Sequence, residues 1–313
     1  MTRRLAPLLI LLVSVTACSS GGATPITTAA TAFPTTATTT PATTTSTTLA
    51  TVPADRQYGV IDDGAIEFTD ELSMRVFRPD AAGTWPTVVF FHGGSWYGGD
   101  PANVEPYARA LAAAGLVVFN ATYRVGNTGG GFPQSYEDIA CAIDVATAEA
   151  PGHHGTADVV VAGHSAGAHL ASAVVFSGGG FRDGTCASDR AGDVVGFVGL
   201  AGPYEAQRFG PLLAQWFGTE YPVDPTPWDD GSPLQYLDSA ARIPVLLIHG
   251  DRDQLVPVGF SEGFATALDD LGYEVTLDVI AGADHPGVID PTSAGPRTVT
   301  LVETFVNALL GGT

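Results

Sequence analysis

The sequence predicts an α/β domain built on a mostly parallel β-sheet with helices on both faces. Short runs of Val, Ile, Leu and Phe, typical of strands buried on both faces, alternate along the chain with longer helical stretches. All of these segments lie between Asp55 and Thr313, which is enough chain for one domain with a large core. We therefore expect a single domain from residue 55 to residue 313.

The elements follow one another in a regular order. Short alternating segments at 65–69 and 73–77 predict an antiparallel hairpin at the start of the domain. Apolar runs then predict strands at 88–91, 117–120, 159–162, 194–200, 245–248 and 275–280. Helices are expected at 104–114, 136–148, 168–176, 261–271 and 297–310. A sheet of this kind places its functional site at the carboxyl ends of the strands.

The stretch 204–241 breaks this alternation because it is rich in proline and aromatic residues. We interpret it as a small cap or insertion near the site, since a connection this long in a compact domain is usually functional. The alternative is an ordinary long connection that packs on the surface.

Residues 1–18 are read as a targeting segment rather than as part of the fold. Arg3 and Arg4 precede an apolar run, at 8–15, that is too short to span a bilayer. The end of the segment, Val15-Thr16-Ala17-Cys18, resembles a bacterial lipobox, which predicts lipidation of Cys18. An ordinary signal peptide with a nearby cysteine is the alternative. The prediction is an exported protein, held on the extracytoplasmic face of the membrane by a lipid anchor.

Residues 19–54 are expected to form a disordered linker. From residue 24 onward the segment is almost wholly Thr, Ala, Pro and Ser, a composition that cannot bury a core. Such a coil spans roughly 30 Å and would act as a stalk between the anchor and the domain.

Charge and composition exclude several classes of function. The formal net charge is −20, which disfavours binding to nucleic acid. The chain contains no lysine, which excludes Schiff-base chemistry, pyridoxal-phosphate enzymes, a P-loop and a Ser–Lys dyad. We expect neither a cofactor nor a metal ion.

The chain has three cysteines. If Cys18 carries lipid, Cys141 and Cys186 remain as a pair outside the cytoplasm, where export favours a disulfide. The alternative is two buried thiols too far apart to bridge.

The segment Gly163-His164-Ser165-Ala166-Gly167 lies between an apolar strand and a helical stretch. Hydrolases present a nucleophilic serine on such a turn, and the flanking glycines suit a turn at which backbones crowd. A second match, Gly259-Phe260-Ser261-Glu262-Gly263, follows a loop and is typical of the first turn of a helix. The context therefore favours Ser165 over Ser261 as the nucleophile.

A nucleophilic serine needs a histidine base that a carboxylate orients. Asp251 and Asp253 both follow the strand at 245–248, and we favour Asp253 because Asp251 instead braces the turn beside Gly250. His285 follows the next strand and is the only histidine after His249. The predicted catalytic residues are thus Ser165, Asp253 and His285.

The segment His92-Gly93-Gly94-Ser95-Trp96 follows the strand at 88–91 and resembles the HGGG-type motif of lipases and esterases, which implies an oxyanion hole. Gly94 and Ser95 would offer backbone N–H groups, and Ala166 would supply another. A glycine-rich phosphate loop is excluded because no lysine, Walker motif or dinucleotide fingerprint accompanies it.

The remaining histidines are expected to pack or to form hydrogen bonds, since no pair has convincing metal-ligand spacing. They are His92, His153, His154, His164, His169 and His249.

Residues from about 56 to 310 resemble the α/β-hydrolase superfamily, in particular its esterase branch of hormone-sensitive-lipase-like, feruloyl/acetylxylan-esterase-like and kynurenine-formamidase-like enzymes. The motifs that carry the resemblance are the segments 92–96, 123–124, 163–167 and 253–257 and His285. The order Ser165, Asp253, His285 is also that of these hydrolases. One departure is that Ser95 stands where lipase-like members carry a third glycine, which points away from the strict lipase pattern.

The resemblance implies a serine hydrolase that cleaves small-molecule or polysaccharide-linked carboxylic esters, and the targeting segment adds the prediction that it is exported. An arylformamidase or small amidase is the alternative, because the same triad serves amide and ester substrates. A non-catalytic cell-surface binding module is a third hypothesis, against which the three intact catalytic positions argue.

Overall fold

The computed structural model describes residues 57–186 and 188–311. The predicted targeting segment 1–18, Cys18 and the linker 19–54 lie outside these residues. The described chain folds around one eight-stranded sheet with the strand order β1-β2-β4-β3-β5-β6-β7-β8. The predicted fold class is therefore confirmed.

The strands are β1 (Val60–Glu67), β2 (Ser73–Pro79), β3 (Trp85–Phe91), β4 (Val117–Ala121), β5 (Gly155–His164), β6 (Val194–Leu200), β7 (Val245–Gly250) and β8 (Val275–Ile280). The helices are α1 (Glu105–Ala113), α2 (Gln134–Glu149), α3 (Ala166–Phe176), α4 (Ala214–Phe217), α5 (Thr226–Asp230), α6 (Gly259–Asp270) and α7 (Gly295–Leu310). Strands β1 and β2 pair antiparallel with each other and β2 pairs antiparallel with β4, whereas all the other pairings are parallel. None of the described helices is long and apolar enough to cross a membrane.

The central strands are apolar on both faces because helices cover both. In β3, Val89 and Phe91 face one core cluster, which includes helices α2 and α3. Val88 and Phe90 face a second cluster on the other side, with helices α1 and α7. The two-residue period of a strand sends neighbouring side chains to opposite faces, so a continuous apolar run serves both layers.

The first described residues lie at the edge of the sheet where the parallel strands begin. The Tyr58 N–H donates to the Ala113 carbonyl oxygen at 2.8 Å. The Tyr58 ring packs edge-on against Trp85, the first residue of β3, with 4.8 Å between ring centroids.

A disulfide joins helix α2 to the loop after α3. Cys141 and Cys186 are bonded with 5.4 Å between their Cα atoms, as the cysteine count led us to expect. Beside the disulfide, the buried Asp144 carboxylate accepts from Arg182 and Arg190 of the same loop at 2.7 and 2.8 Å. The covalent bond and the ion pairs together fix this loop on the helix.

The stretch 204–241 forms the connection between β6 and β7 and contains the short helices α4 and α5. Its Phe209 ring lies 5.3 Å from the ring of Trp96 and 5.4 Å from that of Phe260. The connection therefore packs against the loop that follows β3.

Candidate active site

Ser165 lies on a sharp turn between β5 and α3. Its backbone has φ 55° and ψ −126°, a strained conformation for a residue with a side chain. Its N–H donates to the Leu200 carbonyl oxygen of the neighbouring strand at 2.9 Å, which helps to hold the turn. A Cβ atom on Gly163 would lie 2.6 Å from the backbone of Gly167, and one on Gly167 would overlap the carbonyl oxygens of Phe91 and His92. Gly163 is thus required within the turn itself, and Gly167 is required where the turn meets the backbone of Phe91 and His92.

Ser165, His285 and Asp253 form one hydrogen-bonded chain. The Ser165 hydroxyl lies 2.8 Å from His285 Nε2, and His285 Nδ1 lies 2.6 Å from Asp253 Oδ2. Ser165 and His285 retain 7% and 8% exposure, whereas the Asp253 side chain is fully buried. This is the geometry in which a histidine can take the serine proton while the carboxylate fixes the histidine ring.

Asp253 is held as a carboxylate by its neighbours. Burial by itself would raise its pKa, but hydrogen bonds from His249, His285 and the Val256 N–H outweigh it, and the pKa lies well below its ordinary value. Its Oδ1 accepts from the N–H groups of Leu255 and Val256 at 2.9 and 2.8 Å. The carboxylate is therefore ionised and fixed in orientation at neutral pH.

Asp251, the competing acid, has a different role in the structure. Its Oδ1 accepts from the Gly282 N–H at 2.6 Å, so it braces the turn after β8. Of the two aspartates, Asp253 rather than Asp251 contacts His285.

The loop after β3 lies beside the serine. A Cβ atom on Gly93 would lie only 2.9 Å from the Ser165 Cβ. Gly94, Ser95 and Trp96 have φ values of 144°, 55° and 61°, which turn the loop sharply at this point. Within residues 57–186 and 188–311, the backbone N–H groups of Gly94, Ser95 and Ala166 have no protein acceptor. These amides are free to bind a ligand oxygen.

Two residues that the sequence did not assign to this site fasten the loop. The Trp96 indole N–H donates to His169 Nδ1 at 3.2 Å, and the Tyr123 hydroxyl donates to the His92 carbonyl oxygen at 2.7 Å. In the sequence, Tyr123 belongs to the segment 123–124, one of the motifs that carry the family resemblance. His169 lies four residues after Ser165, one helical turn away, and that spacing was the available signal for it.

Two other buried histidines are neutral at pH 7. Burial lowers the pKa of His169 to about 3. Burial, aided by the neighbouring His285, lowers the pKa of His164 to about 3 as well. His164 Nε2 lies 3.2 Å from the His285 carbonyl oxygen and donates its hydrogen there. These neutral rings pack around the site without adding positive charge to it.

The fold and the serine turn place the chain among the α/β-hydrolase-fold proteins. Two esterases are examples of solved structures that share the fold. Esterase B of Lactobacillus rhamnosis superposes with a TM-score of 0.70 at 20% identity and covers 82% of this chain and 90% of its own. A truncated carbohydrate esterase from gut microbiota has a TM-score of 0.66 at 19% identity and covers 82% of this chain and 98% of its own.

Within that class, residues 74–268 match the model of the BD-FAE family, and the chain belongs to this family. It is also similar to the esterase LipC of Mycobacterium tuberculosis, with 30% identity over 243 residues, which is 71% of this chain. The match covers 58% of the length of LipC.

Proposed function

We propose that the protein is a serine hydrolase that cleaves carboxylic esters through an acyl-enzyme. The observation that supports this most directly is the hydrogen-bonded chain from Ser165 through His285 to Asp253, with its distances of 2.8 and 2.6 Å. Membership of the BD-FAE family and the similarity to LipC, which is named an esterase, support the same reaction.

In the first half of the reaction, His285 Nε2 takes the proton of Ser165 as the serine Oγ bonds to the ester carbonyl carbon. The carbonyl π electrons move onto its oxygen. When the C=O bond re-forms, the bond to the alcohol oxygen breaks, and that oxygen leaves with the proton from His285. In the second half, His285 takes a proton from water as the water oxygen bonds to the acyl carbonyl carbon. The bond to Ser165 then breaks, and the carboxylic acid and free Ser165 are released.

The negative charge on the substrate oxygen requires donors that are already in place. We assign this role to the backbone N–H groups of Gly94, Ser95 and Ala166. They belong to the loop and the helix start that flank Ser165 and have no acceptor within the described part of the chain. Since the donors are amides, Ser95 can replace a third glycine there.

We also propose that the protein is exported and held on the membrane by lipid on Cys18. The support is the lipobox-like sequence, followed by a linker with a composition that cannot form a core. Incorporation of labelled fatty acid, lost in Cys18→Ala, tests this proposal independently of the chemistry.

The activity is tested with p-nitrophenyl esters of increasing acyl length and the full-length protein. We expect Ser165→Ala to lower kcat by more than about 10³-fold with the fold intact, because the acyl-enzyme can no longer form. Ser261→Ala, in the second G-x-S-x-G match, is the matched control and should retain measurable turnover. Equal activity in Ser165→Ala and the wild type would overturn the assignment, and a folded wild type without activity on any ester would overturn the proposed substrate class.

A further inference from the structure

The second G-x-S-x-G match has a place in the structure that the proposed mechanism does not use. Ser261 lies in the first turn of α6, and its hydroxyl is 2.7 Å from His249 Nδ1. His249 Nε2 is 2.7 Å from the Val256 carbonyl oxygen and 3.2 Å from Asp253 Oδ2. A second serine–histidine pair therefore converges on the same carboxylate as Ser165 and His285.

This second pair is closed to substrate. Ser261 and His249 are both 0% exposed, whereas Ser165 and His285 retain some access to solvent. A nucleophile has to reach the substrate carbonyl, so Ser261 is not a second catalytic serine.

The hydrogen-bond partners fix the proton positions of the pair. The Val256 carbonyl oxygen and the Asp253 carboxylate only accept, so the ring hydrogen of His249 lies on Nε2 between them. In the neutral ring Nδ1 is then an acceptor, to which the Ser261 hydroxyl donates. The serine thus stabilises the one tautomer of His249 that can donate toward Asp253.

The turn that carries Asp253 depends on internal anchors because its outer side faces solvent. Leu255 in this turn is 59% exposed. Inside the turn, the Val256 N–H donates to Asp253 Oδ1 while the Val256 carbonyl accepts from His249, at the buried end of β7. His249 therefore ties the turn to the sheet, and Ser261 ties His249 to α6.

We propose that His249 and Ser261 are positioning residues that hold the Asp253 carboxylate toward His285. The proposal rests on the proposed function, in which Asp253 orients the base. The His249 and His285 rings both donate to one oxygen, Asp253 Oδ2. The position of the His249 ring therefore constrains the direction from which the carboxylate can hold the His285 ring. The other ionisable group that faces Asp253 and both rings is the buried His164.

The test is Ser261→Ala in the full-length protein. Its matched control is Ser172→Ala, which removes an equally buried hydroxyl that donates at 2.7 Å to the His169 carbonyl within α3. We expect Ser261→Ala to lower kcat by about three- to tenfold with KM unchanged, the effect of weakening one hydrogen bond in the chain. Ser172→Ala should stay within about twofold of the wild type in both constants.

A second pair of variants separates the donor from the packing of the ring. His249→Gln keeps an amide N–H near Nε2, whereas His249→Phe fills the space without a donor. We expect a larger loss of kcat in His249→Phe than in His249→Gln.

NMR of ring-labelled histidine provides a readout that does not need turnover. Ser261→Ala and His249→Phe should shift the His285 Nδ1–H resonance, while Ser172→Ala should not. A folded Ser261→Ala with wild-type kcat and an unchanged His285 resonance would overturn the proposal. If the wild type hydrolyses no ester, the proposed function fails, and the resonance still decides whether the pair positions Asp253.

Discussion

His169 should make the stability of the domain depend on pH between about pH 7 and pH 5, above the range in which most carboxylates titrate. Its Nδ1 lone pair already accepts the Trp96 indole N–H, so a second proton on the ring would displace that bond. The ring is also fully buried, and burial lowers its pKa to about 3 from an ordinary value of 6.5. The folded protein therefore resists protonation at a pH where the unfolded chain accepts it.

The sign and size of the effect follow from this difference. Between about pH 6.5 and pH 3 the unfolded state binds more protons than the native state, so stability falls as the pH falls through this window. Going from pH 7 to pH 5, the unfolded histidine gains about three quarters of a proton, which lowers the stability of the folded state by about 2 kcal/mol.

The assay is urea denaturation at pH 7 and pH 5 with the wild type and His169→Gln. Glutamine does not titrate, and its side-chain oxygen can accept from Trp96. The wild type should lose about 2 kcal/mol more than the variant between the two pH values. His154→Asn is the control, because His154 is exposed and asparagine tolerates its φ of 64°. The same pH dependence in the wild type and His169→Gln would refute the reasoning.

Three other outcomes are expected. Gly167→Ala should impair both folding and activity, because the new Cβ overlaps backbone oxygens of β3; a wild-type thermal midpoint and kcat would contradict the fit described here. Asp253→Asn should lower kcat by about 10³- to 10⁴-fold, whereas Asp251→Asn keeps an acceptor for the Gly282 N–H and should cost less than about tenfold; a reversed order would exchange the two roles. Replacing Cys141 and Cys186 by serine should destabilise the domain by about 2–4 kcal/mol in denaturant titrations, and unchanged stability would count against the disulfide.

Most of the sheet was predictable because its strands are buried on both faces. The strands β6 and β8 have the predicted bounds, and β3, β4, β5 and β7 extend the predicted runs by a few residues. A buried strand gives a continuous apolar run, which is a local signal. The residues that extend it, such as His164 and Gly250, carry no apolar pattern of their own.

The three central site residues were also predictable, since each follows a strand and parallel strands bring their carboxyl ends to one edge. The contacts of His249 with Ser261 and of Trp96 with His169 were not. Each joins side chains from elements that approach each other only in the folded chain. His249 was expected to end a strand, and Ser261 to begin a helix; both expectations hold, but they do not show that the two side chains meet.

The contacts of Tyr58 lie at one edge of the sheet and the loop with Gly94 lies at the other. Tyr58 contacts Trp85 at the start of β3. The loop with Gly94 follows the far end of this seven-residue strand, roughly 20 Å away. The first described residues and Ser165 thus lie at opposite edges of the sheet, so a solid support attached at Gln57 would leave the serine accessible.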